Sequence, residues 1–105
     1  MQDIQECAQK IQRYTNEYTY DSFIDDDKTV DAVIRNFEII GEASSKIEKD
    51  FKLKTPQINW SDLKSLRNRM IHDYTGIDYL IVWEIITNYI SELEFQVDIL
   101  IKEIE

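Results

Sequence analysis

Two glycines and one proline in 105 residues leave this chain almost nothing with which to interrupt regular structure. Each turn-rich alternative, a sandwich or a barrel of short strands, needs many more breakers than that. What fills the chain instead is a set of apolar residues spaced three and four apart, the period of an α-helix with one buried face. Leu, Ile, Glu and Lys in blocks carry the same preference. The length suits a single domain over residues 1–105, able to bury a core without staples.

The periodicity divides the chain into elements. Ile4, Cys7, Ala8, Ile11, Tyr14 and Tyr18 trace one stripe, predicting a first helix from about Asp3 to Tyr18. Asp21 to Asp27 reads as a short helical turn with Phe23 and Ile24 inward. Its run Asp25-Asp26-Asp27 is a poor ligand set, because consecutive residues on a helix diverge. It suits the positive N-terminus of the next helix instead. That helix is predicted over about Lys28 to Phe51, on Val30, Val33, Ile34, Phe37, Ile40, Ser44, Ile47 and Phe51. Gly41 inside it implies close approach to a neighbouring backbone. Lys52 to Asn59, with Pro56, reads as a loop, and Asn59 as the N-cap of a helix from Trp60 to His72. Trp60, Leu63, Leu66 and Met70 give that helix its buried side. Thr75-Gly76 stops it. Asp78 then caps a last helix reaching about Glu103, with Leu80, Trp83, Ile86, Ile90, Leu93, Val97, Leu100 and Ile104 as its seam. Ile81, Ile85, Tyr89 and Ile99 fall outside that seam, more apolar surface than one chain covers, so a dimer interface is expected. The predicted fold is all-α, an up-and-down bundle of four main helices plus a short helix.

Cys7 stands alone, which excludes an internal disulfide framework and fits a small core residue. No basic-then-apolar leader opens the sequence, and Ile77 to Ile90 is short and interrupted by Asp78, Glu84 and Asn88. A cytoplasmic protein with no membrane segment is expected. The net charge of −9 argues against a non-specific nucleic-acid binder. It is unevenly spread: residues 1–42 sum to −6, residues 43–72 to +4 and residues 73–105 to −7. The basic island of Lys46, Lys49, Lys52, Lys54, Lys64, Arg67 and Arg69 is either a solvated face or a local phosphate-binding patch. The acidic arms could meet a basic partner protein.

His72 is the only histidine. It falls at a predicted helix end beside a stop signal, outside every apolar stripe. Asn68 precedes it by one turn, so the two share a face. Arg67 lies roughly 140° around the helix and is long enough to reach the same end. Tyr74 follows just beyond. Such a set can cleave RNA without metal. Histidine moves a proton to or from the 2′-hydroxyl or the leaving oxygen, and arginine offsets charge on the phosphate. One histidine does not readily serve as both acid and base; two copies across a dimer axis can. Four polar residues near a helix end are also common in proteins without catalysis. Arg35 and Glu42, seven apart, are either buried polar contacts under this region or surface pairs. Tyr14, Tyr18 and Tyr20 can stack on bases, though packing suits them better.

The string Arg67-Asn68-Arg69-Met70-Ile71-His72-Asp73-Tyr74 resembles the signature of HepT-like proteins in the HEPN superfamily: arginine, four residues, histidine, one residue, tyrosine. The segment from Asp31 to Ala43 is similar too, as are Trp60, Gly76-Ile77-Asp78 and Val82-Trp83-Glu84-Ile85. The resemblance implies a HEPN-like bundle acting as a homodimer. Arg67 and His72 of both chains would line a composite, metal-independent RNA-cleaving site, with Asn68 in support and Lys64 and Arg69 as candidate RNA-backbone contacts. It also implies a toxin paired with an MntA-like minimal nucleotidyltransferase antitoxin. That partner would transfer AMP from ATP to Tyr74, so that ATP serves the partner and the chain itself needs no cofactor. The bulk and charge of AMP beside His72 would keep RNA out. Related bundles supply the alternative: a non-catalytic subunit that presents a nucleotide or substrate to a nucleotidyltransferase. The strongly acidic composition departs from what an RNA-binding surface suggests.

Overall fold

Burying Ile4, Cys7, Ala8 and Ile11 on one side makes the first segment a helix, α1, over Gln2–Thr15. In the computed structural model, which describes residues 1–104 and the side chains of residues 1–103, α1 stops three residues before the predicted Tyr18. Glu17 takes a left-handed backbone with φ 66°. That turn swings Tyr18 away from the helix, and its hydroxyl donates to Asp26 Oδ2 at 2.6 Å. Burial pushes the Cys7 thiol up from its ordinary range, as suits a core residue.

Thr19 and Ser22 form a reciprocal capping box at the start of α2, Tyr20–Ile24. The buried Phe23 of α2 packs on Trp83, ring centroids 5.3 Å apart. Helix α3 follows over Asp27–Ser45. Asp26 is its N-cap, accepting from the Thr29 N–H at 3.2 Å, which is the role expected of the acidic run. Among the described residues no three His, Cys, Asp or Glu side chains gather as an ion site.

The long helices of the sequence reading are broken in the structure. The one predicted to Phe51 ends at Ser45 and resumes as α4, Lys49–Lys54, which occupies part of the predicted loop. Ser44 and Ser45 donate their hydroxyls to Ile40 O and Glu42 O, a local competition that accompanies the helix end. The helix predicted from Trp60 to His72 is two short ones, α5 (Trp60–Lys64) and α6 (Leu66–Met70), divided at Ser65. The helix predicted from Asp78 to Glu103 is α7 (Tyr79–Asn88) and α8 (Ile90–Ile104), divided at Tyr89 with φ −124°. The breaks redistribute the seam. Ile86, Ile90, Leu93, Val97 and Leu100 are buried as expected, but Leu80 is 54% exposed and Ile85, placed outside the seam, is buried. The position assigned to the Ile104 side chain lies outside the described side chains.

Helix α3 is the central rod. It packs against α1 on one flank and against α5 and α6 on another, while α8 closes on α1 and α7 joins α2. Gly41 is the contact point with α5. A Cβ there would sit 3.1 Å from Leu63 O and 3.6 Å from Lys64 O. The buried face combines Phe23, Val33, Phe37, Ile40, Leu63, Leu66, Met70 and Leu93. The architecture is an all-α bundle with one two-residue strand pair, and no helix among the described residues is long and apolar enough to cross a membrane.

Candidate active site

Leu66 and Met70 anchor α6 in the core, which leaves Arg67, Asn68 and Arg69 on its exposed side. The helix ends one residue later. Ile71-His72 (β1) pairs antiparallel with Gly76-Ile77 (β2), Ile71 opposite Ile77 and His72 opposite Gly76. The Asp78 N–H donates to Met70 O at 2.7 Å, so a helix carbonyl is satisfied by the returning strand rather than by another helical turn. Gly76 turns the chain with φ +81°, a left-handed backbone suited to glycine.

His72 therefore sits on a hairpin and not at the predicted helix end. Its proximity to Asn68 does not come from a shared helical face. The hairpin nonetheless brings the predicted residues together: an open cleft of about 540 Å³ is lined by Arg67, Asn68, His72, Asp73 and Tyr74. Tyr74 is fully exposed at the tip. His72 Nε2 lies 3.5 Å from Asp78 Oδ2, both side chains partly exposed. Asp78 Oδ1 meanwhile accepts from the Ile81 N–H at 3.2 Å, capping α7. One carboxylate thus faces the imidazole with one oxygen and holds a helix with the other. Sequence reasoning assigned Asp78 only the cap. Its pairing with His72 follows from the hairpin, for which Gly76 between Ile71 and Ile77 was the available signal.

Arg67 also lines a second depression of about 290 Å³ with Arg35, Glu38, Gly41, Glu42 and Lys64. Arg35 and Glu42 are surface residues there, and Glu42 pairs with Lys46 at 3.5 Å. Lys64 therefore stands next to the cleft, whereas Arg69 faces another groove with Asp62, Glu84 and Tyr89. In that groove, burial first, then Glu92 and Asp62, push the Tyr89 phenol up, against the influence of Arg69.

Chemically, the cleft combines a group able to give or take a proton, a fixed cation, an amide and a phenol, and the Asp78 carboxylate beside it can orient the imidazole. A single chain supplies one imidazole to it.

Comparison with known proteins identifies the family. The chain matches the family described as "Ribonuclease HepT-like" over residues 4–100, a span containing the whole cleft. It is 42% identical over 103 residues to the "Putative RNase MJ0127" of Methanocaldococcus jannaschii, covering 98% of this chain and 85% of that one. To the "Probable ribonuclease HepT" of Thermococcus cleftensis it is 39% identical over 94 residues, covering 90% and 86%. To the "Putative RNase TTE0752" of Caldanaerobacter subterraneus subsp. tengcongensis it is 39% identical over 101 residues, covering 95% and 89%. No solved structure matches it. The family match over almost the full length and the identity to these relatives agree with the all-α bundle: the chain belongs to the HepT-like ribonuclease family.

Proposed function

We propose that the protein is a metal-independent endoribonuclease toxin, silenced by AMP transfer to Tyr74. The observation that carries the cleavage half is the convergence of Arg67, Asn68 and His72 on one open cleft, with Asp78 behind the imidazole. The RNA supplies its own nucleophile. A base removes the 2′-hydroxyl proton, the 2′-oxygen attacks the adjacent phosphorus, and the 5′-oxygen leaves with a proton from an acid. The products are a 2′,3′-cyclic phosphate and a 5′-hydroxyl. His72 of one chain takes the first proton and His72 of a second chain gives the other, in a homodimer whose composite site holds both. Arg67 offsets charge on the phosphoryl oxygens, Asn68 orients the phosphate or sugar, and Lys64 contacts the neighbouring backbone.

The regulatory half rests on Tyr74, which stands fully exposed two residues from His72. An MntA-like nucleotidyltransferase antitoxin would use ATP: the tyrosine oxygen attacks the α-phosphorus, pyrophosphate leaves and AMP stays on the phenol. The added anion repels the RNA backbone and fills the cleft mouth.

The test compares the wild type with His72→Ala on a labelled single-stranded RNA, with and without EDTA. Cleavage by the wild type that survives EDTA, and a loss of at least about 100-fold in the variant with an unchanged circular-dichroism melt, is the expected result. Equal cleavage by the two proteins overturns the site. Co-expression with an MntA-like nucleotidyltransferase should add AMP mass to the wild type and none to Tyr74→Phe; an equal increment on both rejects Tyr74.

A further inference from the structure

In a chain of net charge −9, unpaired cations gathered in one place need an explanation. The groove between α3 and the α5–α6 pair holds three: Arg35, Lys64 and Arg67. Among the described residues, the ion pairs are Lys10–Glu6, Lys46–Glu42, His72–Asp78 and Lys102–Asp98, so none of the three has a carboxylate at ion-pair distance. Two acids share the groove, Glu38 and Glu42, but Glu42 already leans on Lys46. Counting that lysine, four bases face two acids.

The groove is built into the fold. Gly41 lets α3 approach the backbone carbonyls of Leu63 and Lys64, and this contact sets Lys64 across from the α3 face that bears Arg35. The depression shares a wall with the His72 cleft, since Arg67 lines both. A polyanion whose reacting phosphate lies at His72 and Arg67 would therefore run its next phosphate into a positive groove.

We infer that the Arg35–Lys64 groove is a second phosphate-binding subsite for single-stranded RNA, flanking the cleavage site through Arg67. The inference rests on the ribonuclease reading for its ligand and goes beyond it in assigning Arg35 and the path of the strand. Arg67 holds the reacting phosphate, and Arg35 and Lys64 hold a neighbouring one.

Binding separates this subsite from cleavage. The His72→Ala protein is titrated against a fluorescein-labelled, 2′-O-methyl 12-mer RNA by anisotropy across a salt series. It is compared with the same protein carrying Arg35→Gln/Lys64→Gln, and with one carrying Lys10→Gln/Lys28→Gln, which removes equal charge elsewhere. For single strands each neutralised phosphate contributes about 0.7 to the slope of log affinity against log salt. The groove pair should lower the slope by about 0.7 and weaken binding several-fold, and the distant pair should leave the slope unchanged. Equal slopes for all three proteins, equal losses in both pairs, or no binding at low salt overturn the subsite. If wild type cleaves RNA but the groove pair does not change the slope, only the subsite fails. If nothing cleaves yet the slope falls as stated, the groove stands and the ribonuclease reading fails.

Discussion

Asp78 carries two duties on one carboxylate, and substitutions can separate them. Asparagine keeps an oxygen for the Ile81 N–H and is as good an N-cap as aspartate, but it has no charge to set against His72. Alanine loses both functions. Asp78→Asn should retain the wild-type melting temperature while kcat for RNA cleavage falls about three- to tenfold, roughly 0.7–1.4 kcal/mol of barrier. Asp78→Ala should show the same kinetic loss and also destabilise the fold by about 1 kcal/mol, the usual worth of an N-cap. The modest size follows from partial exposure on both sides of the 3.5 Å pair. Wild-type kcat in the asparagine variant would reduce Asp78 to a cap alone.

At the scale of elements, the two glycines are constrained for opposite reasons. Gly76 has no atom within 4 Å of a Cβ position, but its φ of +81° strains any other residue. Gly41 lies within a helix, and its Cβ position is crowded by a backbone carbonyl 3.1 Å away. Gly76→Ala should cost about 1–2 kcal/mol and loosen the hairpin that carries His72, lowering kcat as well. Gly41→Ala gains about 1 kcal/mol of helix propensity but must move the α5 backbone, at about 1–3 kcal/mol. Its urea midpoint should fall, and a rise would show that α5 can retreat. These glycines also mark how far the sequence could be read. Arg67, Asn68, His72 and Tyr74 fall within eight residues, so their proximity was legible whatever the local structure. The pairing of His72 with Asp78 was not, because it depends on β1 meeting β2 rather than on a helical turn. Nor was the placement of Arg35 beside Arg67, which requires α3 to pack on the α5–α6 pair; Gly41 announced a close contact without naming its partner. The breaks at Ser65 and Tyr89 leave no mark in the periodicity for a different reason. Leu63, Leu66 and Met70 on one side, and Ile86, Ile90 and Leu93 on the other, keep a helical spacing and stay buried across each interruption, so periodicity alone reads straight through.

For the molecule as a whole, acidity sets two opposing tendencies against each other. Nine net negative charges repel one another, and protonating carboxylates relieves that repulsion as pH falls. Two aspartates that tie separate elements together work in the other direction. Asp26 is held below the ordinary carboxylate range by the Tyr18 hydroxyl first and by Thr29 next, which fastens the end of α1 to the start of α3. Asp98 is lowered chiefly by Lys102, with Gln5 of α1 also donating to it at 2.8 Å, which fastens α1 to α8. A carboxylate lowered in the native state binds fewer protons there than in the unfolded chain. Its contribution is therefore complete above the ordinary aspartate range and is lost as pH falls through the lowered native value. Salt distinguishes the two tendencies, because it screens diffuse repulsion between exposed charges more than short hydrogen bonds. In about 0.5 M NaCl the wild-type urea midpoint should decline steadily below about pH 5. Asp26→Asn/Asp98→Asn should start lower at neutral pH, since both ties are weakened, and lose less over the same acid range, so that the curves converge. The asparagine at position 26 can still accept from the Thr29 N–H, which keeps the α3 cap and makes the comparison one of charge. Parallel acid declines in the two proteins would mean that these two aspartates do not set the acid limit, and that it lies with the carboxylates spread over the rest of the surface.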